Sequence, residues 1–278
     1  MRLGKFLTHT KMLSSFMCNK GLLTFGRNQL YLAMDDAYTK IYPYYDTLMS
    51  FIDYPAWIKY IEKVIFKENV KDRMVFDLAC GTGTCLKIWL EKGYEVKGLD
   101  SSPGMLEIAN QKLNGKGELI LADMRNFTLA ESVPIVTCLY DSLNNLLIEE
   151  ELLSCFRSVF NAMSHKGLFL FDMNTIHCLK DQWDNQTITR ENGHLYSVWK
   201  NSYDNVKNIS TLYITLFINR GDAYHKVEEV HRERGYHLET IRDFLKQVGF
   251  SNIEIFQHLT FLPVLDTTSR IIFKARRL

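Results

Sequence analysis

Residues 77–86 read DLACGTGTCL, a glycine-rich turn that closes the apolar run MVFDLAC (74–80) and opens a helix-like segment. Gly81 and Gly83 let the backbone come close to a ligand, and the first turn of a helix offers free amides at the same place. Taken alone, the turn is equally a tight strand-to-helix connection with no ligand. Its surroundings decide between the two. Four more short apolar runs follow, EVKGLD (95–100), ELILAD (118–123), IVTCLY (135–140) and GLFLFDMN (167–174). Helical patterns lie around and between them, at Ala56 to Phe66, Met105 to Leu113 and Glu149 to Met163. Short unbroken apolar runs separated by helices are the pattern of parallel strands buried on both faces. A doubly wound, Rossmann-like α/β sheet is expected.

After Asn174 the texture changes to polar and aromatic alternation through residues 194–236, with turn signals at YDNVKN and NRGD. An antiparallel β insert over residues 177–236 is expected, lying as a cap on a main domain made of residues 34–176 and 237–278. A helix at Leu238 to Val248 and the strands IEIFQHLTF (253–261) and RIIFKARRL (270–278) complete a seven-stranded sheet, mostly parallel with the last strand antiparallel. Residues 1–33 are set apart by five basic residues (Arg2, Lys5, Lys11, Lys20, Arg27), no acid, and apolar residues at helical spacing. They read as a transit peptide, as sequence upstream of an older start at Met34, or as an ordinary surface helix. In each case the chain without them should fold and bind its cofactor.

The 278 residues carry 33 basic and 32 acidic side chains, so no net field draws the protein to nucleic acid or to anionic lipid. No apolar run approaches the ~20 residues of a membrane span. The six cysteines form no CxxC pair, so a reducing, cytoplasmic setting is expected rather than a disulfide framework. His177 and Cys178 have no companions at a metal-ligand spacing, and no metal is expected.

Polar groups converge at one edge of the expected sheet. Asp100 ends the second strand, where such folds place a carboxylate on ribose hydroxyls. Asp123 ends the third, and Tyr140, Asp141, Ser142, Asn144 and Asn145 follow the fourth. No Gly-Lys-Ser or Gly-Lys-Thr follows the turn, which disfavours phosphoryl transfer. Leu86 stands where a dinucleotide fold prefers its third glycine, and Asp77 would add negative charge beside a pyrophosphate. Both disfavour a nicotinamide dehydrogenase, which stays as an alternative. Asp77 suits a ligand bearing an amine and a sulfonium.

In VFDLACGTG (75–83), VKGLDSSPGMLEIA (96–109), LADMRNF (121–127) and VTCLYDSLNNL (136–146) the chain resembles the class I S-adenosylmethionine-dependent methyltransferases. AYTKIYPYYDTLM (37–49), DSLNNL and the insert resemble the small-molecule branch related to glycine N-methyltransferase and sugar-amine N-methyltransferases. The resemblance implies that Gly81 and Gly83 approach the methionyl part of S-adenosyl-L-methionine and Asp77 supports its amine. Asp100 would bind the ribose, Met105 pack on the adenine, Asp123 take its amine, the Met124 backbone meet a ring nitrogen, and Tyr140 lie beside the methionyl group. Cys80 departs from the glycine common at that position. Tyr45, at the cofactor, and Tyr38, toward the substrate, would set electron-rich rings near the sulfonium, a contact worth about 0.5–2 kcal/mol, unless they only pack a helix face. In EEVHRERGY (228–236), alternation puts Glu229, His231 and Glu233 on one face and Arg232, Arg234 and Tyr236 on the other. His231 is the candidate general base, with Arg234 and Asn144 expected at the substrate; Trp199 is expected to be packing.

The expected activity is methyl transfer to an amine or hydroxyl of a small molecule, by an in-line displacement that needs alignment rather than a covalent nucleophile. A protein or tRNA methyltransferase is an alternative, although YDSL replaces the (D/N/S)PP(Y/F) turn usual in nucleic-acid amine methyltransferases. A cofactor-binding regulator without catalysis is another. A homodimer is possible.

Overall fold

The computed structural model describes residues 37–278. The readings made for residues 1–33 lie outside the described residues. A 3-10 turn at Tyr42–Tyr44 and a single helical turn α1 (Tyr45–Leu48) lead into α2 (Tyr54–Lys67), which Asp53 caps by accepting from the Ala56 amide. The alternating half follows as β1 (Met74–Leu78), α3 (Thr84–Glu91), β2 (Glu95–Asp100), α4 (Pro103–Leu113), β3 (Glu118–Leu121), β4 (Val133–Cys138), α5 (Glu149–Ala162) and β5 (Met163–Asn174). Four strands come next, β6 (Thr187–Asn192), β7 (Leu195–Asp204), β8 (Ile209–Asn219) and β9 (Tyr224–Arg234). The chain returns through α6 (Leu238–Val248), β10 (Ser251–Gln257) and β11 (Arg270–Arg277).

Seven strands form one sheet in the order β10-β11-β5-β4-β1-β2-β3, and β6 to β9 form a separate antiparallel sheet in sequence order. In the large sheet only β11 runs against the rest, pairing antiparallel with both β5 and β10. The expected architecture is therefore found. The hairpin turns fall at 205–208, inside the YDNVKN signal, and at 220–223, overlapping the NRGD signal and ending one residue beyond it. Neighbouring order reverses at β1, with β4 on one side and β2 on the other, so the crevice at the strand ends opens above β1.

Each face of the large sheet has its own core. One gathers Phe76, Phe156, Phe169, Phe171 and Phe273 under α5 and α6; Phe171 and Phe273 stack at 4.8 Å. The other gathers Ile58, Ile61, Leu86, Trp89 and Ile135 under α2, α3 and α4. Leu86 explains how the turn works without a third glycine. It is fully buried, and its Cδ1 lies 2.6 Å from where a Cβ on Gly98 would stand, with the Cys80 sulfur 2.8 Å from the same point. The glycine that permits close helix–strand packing sits on β2 instead of α3, and the room it leaves accommodates both Leu86 and Cys80.

Candidate active site

At the end of β1 the residues Ala79, Gly81 and Gly83 adopt φ of 56°, 53° and 74°. Left-handed residues in such a turn point successive amides into one concavity. Asp100, at the end of β2, ties the loop down: one oxygen accepts from the Gly81 amide at 2.8 Å and the other from the Ser102 amide at 2.9 Å. The two glycines do different work. A Cβ on Gly83 would stand 2.9 Å from the Ala109 Cβ of α4, whereas nothing lies within 4 Å of one on Gly81. Gly83 is needed for packing, and Gly81 borders the open space.

Asp77 is buried and accepts from the Thr137 hydroxyl at 2.6 Å. Burial pushes its carboxyl up to about 7; the Thr137 hydrogen bond opposes this and the Asp100 charge adds to it. A buried carboxyl without a cation is the chemistry an ammonium group satisfies. Asp100 is likewise raised by burial, against the amide bonds it accepts. Met105 is buried in the first turn of α4, where its amide donates to Ser102. Asp123 holds Arg125 through the latter's Nε and Nη2, so an adenine amine would share that carboxylate, and Met124 follows it half-buried. Asp77, the loop amides, Asp100 and Asp123 thus occupy three adjacent strand ends and fit S-adenosylmethionine in the order its parts require.

Beyond β4 two consecutive residues, Tyr140 and Asp141, have φ of 65° and 53°. Asp172 of β5 holds them by accepting both amides, at 2.5 and 3.0 Å. Arg270 of β11 bridges Asp172 at 2.6 Å and Asp141 at 3.1 Å, with its guanidinium 5.0 Å from the centre of the Tyr140 ring. The Asn174 amide completes the network by donating to Asp141 at 2.6 Å and to Glu233 at 2.8 Å.

Asn144 corrects an expectation. Its side chain is fully buried, donates to the carbonyls of Asn174 and Arg234, and accepts from the Asn174 amide, which leaves no donor for a substrate. It clamps the turn after β4 to β5 and β9. Arg234 is a second correction: it lies on the β9 face opposite Glu233 and bonds the Leu147 carbonyl and Glu149.

Between the inner face of the small sheet, residues 38–51 and the ends of β4 and β11 lies a cavity of about 190 Å³. Tyr38, Tyr45, Tyr140 and His231 line it together, and so do Glu233, Asn201, Trp183 and Trp199. Trp199, read as packing, does pack against the core of the small sheet and also lines the cavity, and its Nε1 donates to Ser197. Glu229 accepts from His231 Nε2 at 2.9 Å and from the amides of Tyr38, Lys40 and Ile41. Burial would raise this carboxyl, but the bonds from His231, Lys40 and Ile41 hold it below its ordinary value. As an anion it accepts from His231 Nε2 and fixes the orientation of the ring. The Tyr38 ring meets His231 edge-on at 4.4 Å. The alternation of EEVHRERGY had placed Glu233 on this face; the groups around it, Asp141 after β4, Asp172 and Asn174 on β5 and Arg270 on β11, are far from it in sequence.

Residues 75–167 match the sequence profile of the methyltransferase domain family. The chain is an S-adenosylmethionine-dependent methyltransferase with the class I fold, and the dehydrogenase alternative falls. It is 29% identical over 238 residues to the putative methyltransferase YqeM of Bacillus subtilis, covering 84% of this chain and 94% of that protein. A crystal structure of an S-adenosylmethionine-dependent methyltransferase from Clostridium acetobutylicum is 27% identical with a TM-score of 0.77, over 86% of this chain and 98% of that one. The sugar N-methyltransferase KedS8 of Streptoalloteichus shares the fold at 20% identity, with a TM-score of 0.70 over 92% of this chain and 99% of that one. Among the described residues no helix is long and apolar enough to cross a membrane.

Proposed function

We propose that the chain moves the methyl group of S-adenosylmethionine to an amine or hydroxyl of a small molecule held in the cavity beneath the β6–β9 sheet. The cavity carries this reading: it is walled by aromatic rings, is roofed by residues 177–236, and adjoins the ends of β4 and β11, with β4 next to β1 and its glycine turn. The cofactor supplies the electrophilic methyl and a leaving group. The chain aligns the acceptor, excludes water with the capping sheet and residues 38–51, and offers His231, oriented by Glu229, to take the acceptor's proton. Near-neutral net charge and the likeness to a sugar N-methyltransferase support a small acceptor over RNA.

The test is a screen for S-adenosylhomocysteine formation over metabolite pools, with tRNA and protein pools beside them, followed by His231→Ala on the acceptor found. The variant should keep S-adenosylhomocysteine affinity within about threefold while methyl transfer falls about tenfold or more. Methyl incorporation into RNA or protein alone, or a variant with the native rate, would overturn the reading.

A further inference from the structure

The cavity end nearest β4 and β5 has an unbalanced set of charges. Among the described residues Asp141, Asp172 and Glu233 are joined through Asn174 and Arg270, three carboxyl groups around one guanidinium that pairs directly with the two aspartates. Glu233 lines the cavity and, among the described residues, is held at Oε2 by Asn174. The groups around it come from every side: Asp141 after β4, Asp172 on β5, Arg270 on β11, Cys178 after β5, Tyr38 from the amino-terminal segment, and Glu229 and His231 on its own strand. His231 cannot balance it through Nε2, because that nitrogen is engaged by Glu229. A second observation on the same wall points to a missing partner. Asn201 is 6% exposed, lines the cavity, and has an Oδ1 with no hydrogen-bond partner among the described residues.

Low dielectric disfavours a second net negative charge here. Burial, then the charge of Asp141, push the Glu233 carboxyl up to about 8 despite the Asn174 bond. Burial raises Asp172 as well, against the charge of Arg270. At neutral pH the cluster therefore holds a proton that a cation brought into the cavity can displace.

We propose that Glu233 is the charge-compensating residue for the cofactor's sulfonium, protonated while the cavity lacks a cation and ionised when S-adenosylmethionine is bound, so that the chain distinguishes the charged methyl donor from its uncharged thioether product. In this step only the Glu233 O–H bond breaks; its electron pair stays on the carboxylate and the proton goes to solvent. Once the methyl group has left, sulfur is neutral and Glu233 takes a proton back, which weakens the hold on S-adenosylhomocysteine relative to the donor. The inference rests on the cofactor and not on the acceptor's identity, so it survives or fails separately from the proposed acceptor.

Isothermal calorimetry on the full chain tests it without any acceptor. S-adenosylmethionine and S-adenosylhomocysteine are each titrated at about pH 7 in phosphate, HEPES and Tris, whose different ionisation enthalpies report the protons exchanged per binding event. S-adenosylmethionine should release about 0.5 to 1 proton more than S-adenosylhomocysteine. In Glu233→Gln that excess should fall to near zero, and S-adenosylmethionine affinity should drop about tenfold relative to S-adenosylhomocysteine. Equal proton counts for the two ligands in the native chain overturn the proposal, whether or not the variant folds. An excess that persists in a folded Glu233→Gln protein overturns it as well.

Discussion

At single residues, the cofactor half of the site separates groups that serve the ligand from groups that serve packing. Asp77 and Asn are isosteric, and an amide oxygen still accepts from Thr137. Asp77→Asn should therefore leave the ligand-free protein folded and raise its melting temperature, since a buried carboxyl is removed. Its affinity for S-adenosylhomocysteine should fall about tenfold or more, because the ammonium loses its counter-charge; titration of the folded variant checks this, and unchanged affinity removes Asp77 from the amine site. The two glycines provide a matched pair. Gly83→Ala meets Ala109 and a left-handed backbone together, and should cost about 2–4 kcal/mol in urea unfolding. Gly81→Ala carries only the backbone cost, about 1 kcal/mol, but puts a methyl into the open space beside Asp100. It should show its main effect in weakened cofactor binding, and a Gly81→Ala protein that binds normally would place the cofactor elsewhere.

At the scale of elements, the turn after β4 is held by side chains from distant strands. Tyr140 and Asp141 keep their left-handed conformation because Asp172 accepts both amides, and Asn144 pins the same turn to β5 and β9. Removing Asn144 orphans the Asn174 amide and two carbonyls inside the protein, each worth about 1–3 kcal/mol when unsatisfied. Asn144→Ala should appear first as a loss of stability, with a lower urea midpoint, and not as a change of acceptor preference. A variant with native stability and altered preference would restore Asn144 to the substrate. The amino-terminal segment is a second element with two anchors. Its amides at residues 38, 40 and 41 wrap the Glu229 carboxylate, and Asp46 meets Thr82 at 2.6 Å and Lys112 at 2.8 Å beside the glycine loop. It thereby joins the capping sheet to the cofactor loop and supplies one wall of the cavity.

For the whole molecule, the buried carboxyls set the pH dependence. Asp77 and Glu233 have folded values of about 7 and about 8, above those of the unfolded chain. The folded state consequently binds more protons than the unfolded state up to those values, and stability falls as pH rises toward and through them. His258, lowered by burial to about 4, stabilises in the opposite direction but only below its ordinary range. Between about pH 6.5 and 8.5 the ligand-free melting temperature should therefore decline, and saturating S-adenosylmethionine should reduce the decline by supplying cations beside both carboxyls. A flat or rising profile over that interval would show that these groups are ionised in the folded state at neutral pH.

The order of elements and the parallel sheet were legible in the chain because each rests on local pattern. Buried strands are short apolar runs, helices repeat at their own period, and Asp77, Asp100 and Asp123, the acids proposed for the cofactor, stand at or just past strand ends. The hairpins of the capping sheet were legible for the same reason, through NRGD and YDNVKN. The acceptor side was not. Arg270 lies 98 residues from Asp172, and Asn174 lies 59 residues from Glu233. No local periodicity brings such groups together. Whether Asn144 turns to a ligand or to backbone, and whether a packed ring such as Trp199 also borders a cavity, depends on which atoms of other elements stand opposite. Close packing of the two sheets and the amino-terminal segment settles that, because a buried polar group takes whichever partner the fold places within hydrogen-bond reach.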